Sequence, residues 1–327
     1  MTMKVMVITG IATLALAVVA SITVEYSALS APTSGDAPLT AVAAASVPDQ
    51  LAGSTQRPIR IAMSAAFVSE KGIGVYDEMC LYVSRQIGRP CELVTGLSYS
   101  TINEMLKTGT VDLAFVCGLP YVLDQEHPTP SMELIAAPVM TASRYQEQPK
   151  YYSDLIVRAD SPIKTIHDLR GSRFVYNDEL SNSGYNMPRF RLVEIGETKH
   201  FFREVLRSGS HEESIRMVAD GEADASYVDS LVLDYDRTKG IGNADKVKVI
   251  ESLGPAGICP VVVSRRAPAE LQAQLKRALL TMHNNPEGRG ILDKALVECF
   301  AEVSDDNYDD IRQWKKAAIE AGFPVIK

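Results

Sequence analysis

Short apolar runs separated by amphipathic stretches that end on glycine constrain this chain more than any other feature of its sequence. "IRIAMSA" alternates apolar residues as a strand does, and "VYDEMCLYVSRQIG" carries helical spacing up to Gly88. "CELVTG" reads as a strand, "STINEMLKTG" as a second glycine-stopped helix, "VDLAFV" as a buried strand, "LPYVLDQ" as a helix start and "ELIAAPVM" as a strand. Period two marks a strand and period 3.6 a helix, and glycine takes the left-handed position that closes a helix at little cost. After the polar interruption "RYQEQPK" the alternation begins again with "YYSDLIVRA", "TIHDLRG" and "SRFVYN", a helix over about 184–195, "FREVLRSG", "EESIRMVADG", "ASYVDS", a helix near Leu231–Tyr235, and "KVKVIESL". Strands alternating with helices predict mostly parallel sheets with helices on both faces.

A chain of 327 residues that is 46% hydrophobic can fill two such units. The expected division is an α/β, two-lobed protein: residues 58–148 as the first part of lobe 1, 149–252 as lobe 2, and 253–327 as a return segment. The helices "PAELQAQLKRALLTMHN" and "DDIRQWKKAAIEAG" of that segment are expected to pack back on lobe 1. Two α/β lobes place their strand ends, and so a ligand crevice, between them.

Ahead of the lobes, Lys4 precedes the uncharged run Val5–Val24, and small residues follow. Residues 1–30 are read as a signal peptide or an N-terminal membrane anchor, since the run would span a bilayer core of about 30 Å. Residues 31–57, rich in Ala, Ser, Thr and Pro, read as a flexible linker. Either version puts the lobes outside the cytoplasm, in the periplasm or its equivalent. In that oxidising setting Cys80 and Cys91 are the expected disulfide, and the odd number of cysteines leaves at least one unpaired. A formal charge of -8 with scattered Lys and Arg excludes a nucleic-acid binder. No cofactor is expected, and no metal, because Cys117, Cys259 and Cys299 lack zinc-ligand spacing.

The stretch "DELSNSGYNMPRF" sets Ser181, Asn182 and Ser183 where a strand end turns into a helix. Free N–H groups and the helix dipole favour an anion there, and the three side chains add donors. The alternative is that Ser183 simply caps the helix, and Pro188 perturbs either arrangement by removing a helical hydrogen bond. "SGSHEESIRMVADGEADASYVDS" puts His211 at another helix start and Asp229 at a strand end facing the crevice. An imidazole can donate to an oxyanion; otherwise both residues are caps.

These two stretches, with "YYSDLIVRADSPIKTIHDLRGSRFVYN" and "ELVTGLSYSTINEMLKTGTVDLAF", resemble the phosphonate, phosphite and phosphate substrate-binding proteins of ABC transporters, the PhnD type, over nearly all of 60–323. The resemblance implies a type II periplasmic binding-protein fold whose hinged lobes close over a small oxyanion and deliver it to a transporter permease. It implies Ser181, Asn182 and Ser183 as the anion cradle, His211 as a donor, and Tyr99 and Tyr151 as aromatic contacts from the first lobe and near the hinge. Asp229 matches an acidic position that contacts a ligand substituent. Asn182 replaces the usual threonine, and an amide offers two donors and an acceptor where a hydroxyl offers one donor. "GPAGICPVVVS" lacks the acid that holds an amino group in some relatives, which argues against an aminoalkylphosphonate.

Cys117 in "AFVCGLPYV" supports a second reading. It is either a small buried hydrophobe or a thiolate for a soft centre such as arsenite, in a sensor protein that partners a histidine kinase instead of a permease. Catalysis is not expected: a nucleophile elbow, a P-loop and H-E-x-x-H are all missing, and nothing orients His211 as a base.

Overall fold

The computed structural model of the protein describes residues 57–63, 69 and 72–326. The signal or anchor segment 1–30 and the linker through residue 56 lie outside the described residues. The first lobe is built from β1 (Ile59–Met63), α1 (Gly74–Ile87), β2 (Cys91–Val94), α2 (Tyr99–Thr108), β3 (Leu113–Phe115), α3 (Gly118–Gln125) and β4 (Met132–Met140). The second follows with β5 (Lys150–Arg158), β6 (Arg173–Tyr176), α4 (Met187–Glu194), β7 (Glu204–Arg207), α5 (His211–Ala219), β8 (Ala225–Asp229), α6 (Ser230–Lys239) and β9 (Val247–Gly257). The chain then returns through β10 (Val261–Ser264), α7 (Ala269–Leu280), α8 (Pro286–Lys294), β11 (Val297–Ala301) and α9 (Asp309–Glu320). Gly88 and Gly109 close α1 and α2 at φ of 71° and 74°, the backbone region that glycine enters without steric cost.

The strands form two sheets, ordered β11-β4-β10-β3-β1-β2 and β7-β6-β8-β5-β9. Both are mixed, which corrects the expectation of mostly parallel sheets. β1 runs parallel to β2 and β3, and β6 to β7 and β8. β10 is antiparallel to β3 and β4, β11 to β4, and β5 to β8 and β9. The reason is connectivity. β4 leaves lobe 1 at the crevice end of its sheet, so β5 enters lobe 2 from that end and must run against β8; β10 enters lobe 1 from the crevice in the same way. β10, α8 and β11 occupy a stretch that the alternating pattern left unassigned.

Each lobe has its own apolar core. Ile59, Phe115, Ile135 and Val261 of the first sheet pack with Tyr76 and Met79 of α1 and with Leu275 of α7. In the second lobe Leu155, Phe174 and Tyr227 lie on one sheet face, and Ile156, Val175 and Val228 on the other. Cys80 of α1 and Cys91 of β2 form the expected disulfide, with Cα atoms 5.7 Å apart. At the β4-to-β5 crossing, Arg144 makes two 2.9 Å bonds to the wholly buried Asp154, and the Tyr145 hydroxyl donates to Asp234 at 2.6 Å. The final helix joins both lobes: Ile311 packs with Leu119 and Val262 of the first, whereas Phe323 and Ile326, just beyond α9, lie in the second-lobe core.

Candidate functional site

The strand ends of the two sheets meet around a cleft of about 530 Å³, lined by Ser98 and Tyr99 from the first lobe and by Arg207, His211 and Asp229 from the second. Ser181, Asn182, Ser183 and Tyr151 are wholly buried and do not line this open space.

The segment after β6 is a π-turn, Asn182–Asn186, which runs directly into α4. Pro188 lies in the first turn of α4 and supplies no N–H to the turn before it, where the Ser183 carbonyl accepts the Ser153 hydroxyl instead. Ser181 is the cap: its Oγ accepts the Gly184 N–H at 3.0 Å. Ser183, for which capping was the alternative reading, does not have that duty. Its Oγ lies 3.4 Å from His211 Nε2, and its carbonyl accepts the Ser153 hydroxyl at 2.6 Å.

His211 opens α5, whose cap is Ser210. Its Nδ1 accepts the Asp229 N–H at 3.3 Å, which leaves the proton on Nε2, aimed at Ser183. Burial lowers the imidazole from 6.5 to about 3, so it is a neutral donor. Asp229 caps α6 through the Leu231 N–H at 2.8 Å, and burial pushes its carboxyl well above the ordinary range. Arg207, at the cleft wall, is engaged by Asp178 and Glu179. Neutral dipoles therefore supply the donors of this site.

Side-chain and backbone contacts tie the lobes together here. Asn177 Nδ2 of the second lobe donates to the Tyr99 hydroxyl of the first at 3.2 Å, and the Asn182 N–H donates to Cys117 Sγ at 3.2 Å. Asn182 Nδ2 also donates to the Tyr151 hydroxyl at 2.9 Å. Burial raises both tyrosine hydroxyls well above their ordinary range, so they remain protonated donors. Cys117 sits with Tyr99, Cys259 and Leu180 in one small cluster; the neighbouring Cys259 thiol draws the Cys117 thiol downward, and Cys259 Sγ itself donates to Asp229 Oδ2 at 4.0 Å.

The structure thus gathers all the residues read from the sequence: Tyr99, Cys117, Tyr151, Ser181, Asn182, Ser183, His211 and Asp229. Sequence reasoning missed Asn177, Ser153 and Cys259. Asn177 ends "FVYN", and the strand-end rule that selected Ser181 would have found it. Cys259 is remote from Cys117 in sequence, and only the pairing of β10 with β3 brings them together.

Comparison with known proteins agrees with this architecture. A family model described as "ABC transporter, phosphonate, periplasmic substrate-binding protein" matches residues 61–308. The chain is 26% identical over 167 residues to the phosphate-import protein PhnD of Mycolicibacterium smegmatis, covering 49% of this chain and 51% of that protein. It is 25% identical over 170 residues to the phosphonates-binding periplasmic protein of Escherichia coli, covering 50% of each. The matched stretch thus spans about half the length of these curated relatives. Among solved structures, the binding-protein component of an ABC phosphonate transporter from Pseudomonas aeruginosa superposes with a TM-score of 0.73 at 20% identity, over 82% of this chain and 88% of that one. PhnD1 of Prochlorococcus marinus, in complex with methylphosphonate, gives 0.67 at 19% identity, over 79% and 97%. These likenesses show the type II periplasmic binding-protein fold. Among the described residues no helix is long and apolar enough to cross a membrane. The chain belongs to the family of periplasmic substrate-binding proteins of phosphonate ABC transporters, proteins that bind a solute without transforming it.

Proposed function

We propose that this protein is an extracytoplasmic receptor that captures a small phosphorus oxyanion, a phosphonate, phosphite or phosphate, and presents it to an ABC transporter permease. The observation that carries this reading is the convergence of Ser183 Oγ–H and His211 Nε2–H, 3.4 Å apart at a helix start, with the tyrosine hydroxyls of Tyr99 and Tyr151 nearby. The His211 Nε2–H is directed at Ser183, whereas the Ser183, Tyr99 and Tyr151 hydroxyls accept in the contacts above, so their O–H groups would turn to ligand oxygens as the lobes rearrange. Asp229, protonated by burial, would add a donor or meet the substituent on phosphorus.

Thermal unfolding of the full-length chain against methylphosphonate, aminoethylphosphonate, phosphite, phosphate, sulfate and arsenite tests this. A ligand that binds only the folded state raises the midpoint with its saturation. A rise with a phosphorus compound but not with sulfate is expected; no rise with any phosphorus compound would sink the reading. The Cys117 thiol, with a second thiol beside it, favours one alternative: an arsenite sensor that partners a histidine kinase. Under that alternative arsenite alone raises the midpoint, and Cys117→Ser abolishes the rise.

A further inference from the structure

We propose that Cys117 and Cys259 are a reversible dithiol–disulfide pair whose oxidation disfavours closure of the cleft. Strand register places them opposite one another. Val261 pairs with Phe115 in the antiparallel β10–β3 ladder, and the Val116 N–H donates to the Pro260 carbonyl at 3.1 Å. Continuing that register one residue further, past the ends of both strands, sets Cys259 against Cys117, and the two share one buried cluster. Val116 and Pro260 hold the hydrogen-bonded position, so the cysteines take the neighbouring non-bonded one, where Cα atoms stand about 4.5 Å apart. That spacing lies within the range that a disulfide accepts, about 4.4 to 6.8 Å. Neither takes part in the Cys80–Cys91 disulfide, and both are 2% exposed.

The pair lies at the closing surface. Leu180 and Asn182 of the second lobe cover it, Leu180 by packing and Asn182 by its N–H on Cys117 Sγ. Cys117 also occupies the N-cap of α3, where the N–H groups of Gly118 and Leu119 reach its sulfur. In the reduced protein this sulfur satisfies the buried Asn182 N–H when the lobes close. A disulfide sulfur is a much poorer acceptor, so closure of the oxidised protein would leave that N–H unpaired. Opening the cleft withdraws Asn182 and exposes the pair, so the open form is the one that reacts.

The exchange partner is a small disulfide. The Cys117 thiol, drawn down by the Cys259 thiol beside it, loses its proton and attacks one sulfur, releasing one thiolate and leaving a mixed disulfide on Cys117. The Cys259 thiolate then attacks Cys117 Sγ and expels the second thiolate. Two protein thiols are oxidised to one disulfide, and the small disulfide is reduced to two thiols that carry away the two protons. A dithiol reductant reverses both steps.

The bond itself stands independently of the ligand, whereas its effect on affinity rests on the receptor reading above. The test uses the full-length chain carrying Cys299→Ser, which removes the remaining free thiol outside the cleft. The protein is equilibrated with oxidised glutathione or with dithiothreitol, alkylated and mapped by mass spectrometry, and methylphosphonate affinity is measured in both states. A peptide joining Cys117 to Cys259 is expected, with affinity about tenfold weaker in the oxidised state and disulfide formation slowed by saturating methylphosphonate. Adding Cys259→Ser should abolish the linked peptide and make the two affinities equal. Absence of the linked peptide under oxidised glutathione overturns the proposal, as does a linked protein that binds as tightly as the reduced one. If no phosphorus compound binds even the reduced protein, the receptor reading fails instead, and the peptide map alone decides for or against the disulfide.

Discussion

His211 and Asp229 face each other with opposite displacements, one carrying no charge because burial lowers it and the other because burial raises it. Their contributions to stability therefore have opposite slopes. The unfolded chain protonates its histidine first, so His211 costs stability as pH falls from 6.5 towards about 3, on the order of 4 kcal/mol at the acid end. Asp229 holds its proton better in the folded state, so its contribution is full below 3.8 and is lost as pH rises through the elevated folded value. Urea midpoints measured from pH 4 to pH 8 should show His211→Gln flattening the acid limb and Asp229→Asn flattening the limb above it. At the cradle, Ser183→Ala should weaken binding of a phosphorus oxyanion by about 1 to 3 kcal/mol, read by calorimetry, with the fold intact. Ser181→Ala should instead lower stability by about 1 kcal/mol, because its oxygen caps the turn. Residue types and their place after a strand made this cluster legible in the sequence, but which serine caps was not. That depends on the π-turn shifting the bonding register by one residue.

The crossing between β4 and β5 is held by a charge pair whose carboxylate is buried and whose guanidinium is half-buried. Asp154 is wholly buried and bonds to both Arg144 nitrogens and to Ser252 Oγ at 2.6 Å. Arg144→Met leaves that carboxylate without its cation and should cost about 3 to 5 kcal/mol in denaturant unfolding. In the π-turn, a Cβ on Gly184 would come within 1.9 Å of Asn177 Oδ1, whose amide is fastened to Tyr99 across the cleft. Gly184→Ala should cost about 1 to 3 kcal/mol and loosen the contact between the lobes, visible as faster hydrogen exchange at Asn177 and Tyr99. Strands and glycine-stopped helices were readable because each declares itself within a dozen residues. The directions of β5 and β10 were not, since those follow from where the chain crosses between sheets. "ECFA" of β11 alternates too briefly to separate from a loop, and Pro286 opens α8 after a run with no clear apolar stripe.

At the scale of the molecule, the chain passes between lobes at the β4–β5 and β9–β10 crossings and again along α9. Phe323 fills the second-lobe core beside Ile326, whose N–H donates to the Tyr185 hydroxyl at 3.2 Å, and Arg189 holds the Pro324 carbonyl at 2.7 Å. Phe323→Ala should cost about 3 to 5 kcal/mol and broaden the thermal transition, because the cavity opens in one lobe only. The same tail bears on the order in which the protein can fold. The first sheet waits for β10 and β11, and the second-lobe core waits for Phe323 and Ile326, so each core is completed by residues far along the chain from the strands it covers. Domains with self-contained segments condense as they emerge from the ribosome. Here the second-lobe core lacks part of its packing until Phe323 and Ile326 have emerged, so the two lobes condense late and close together in time.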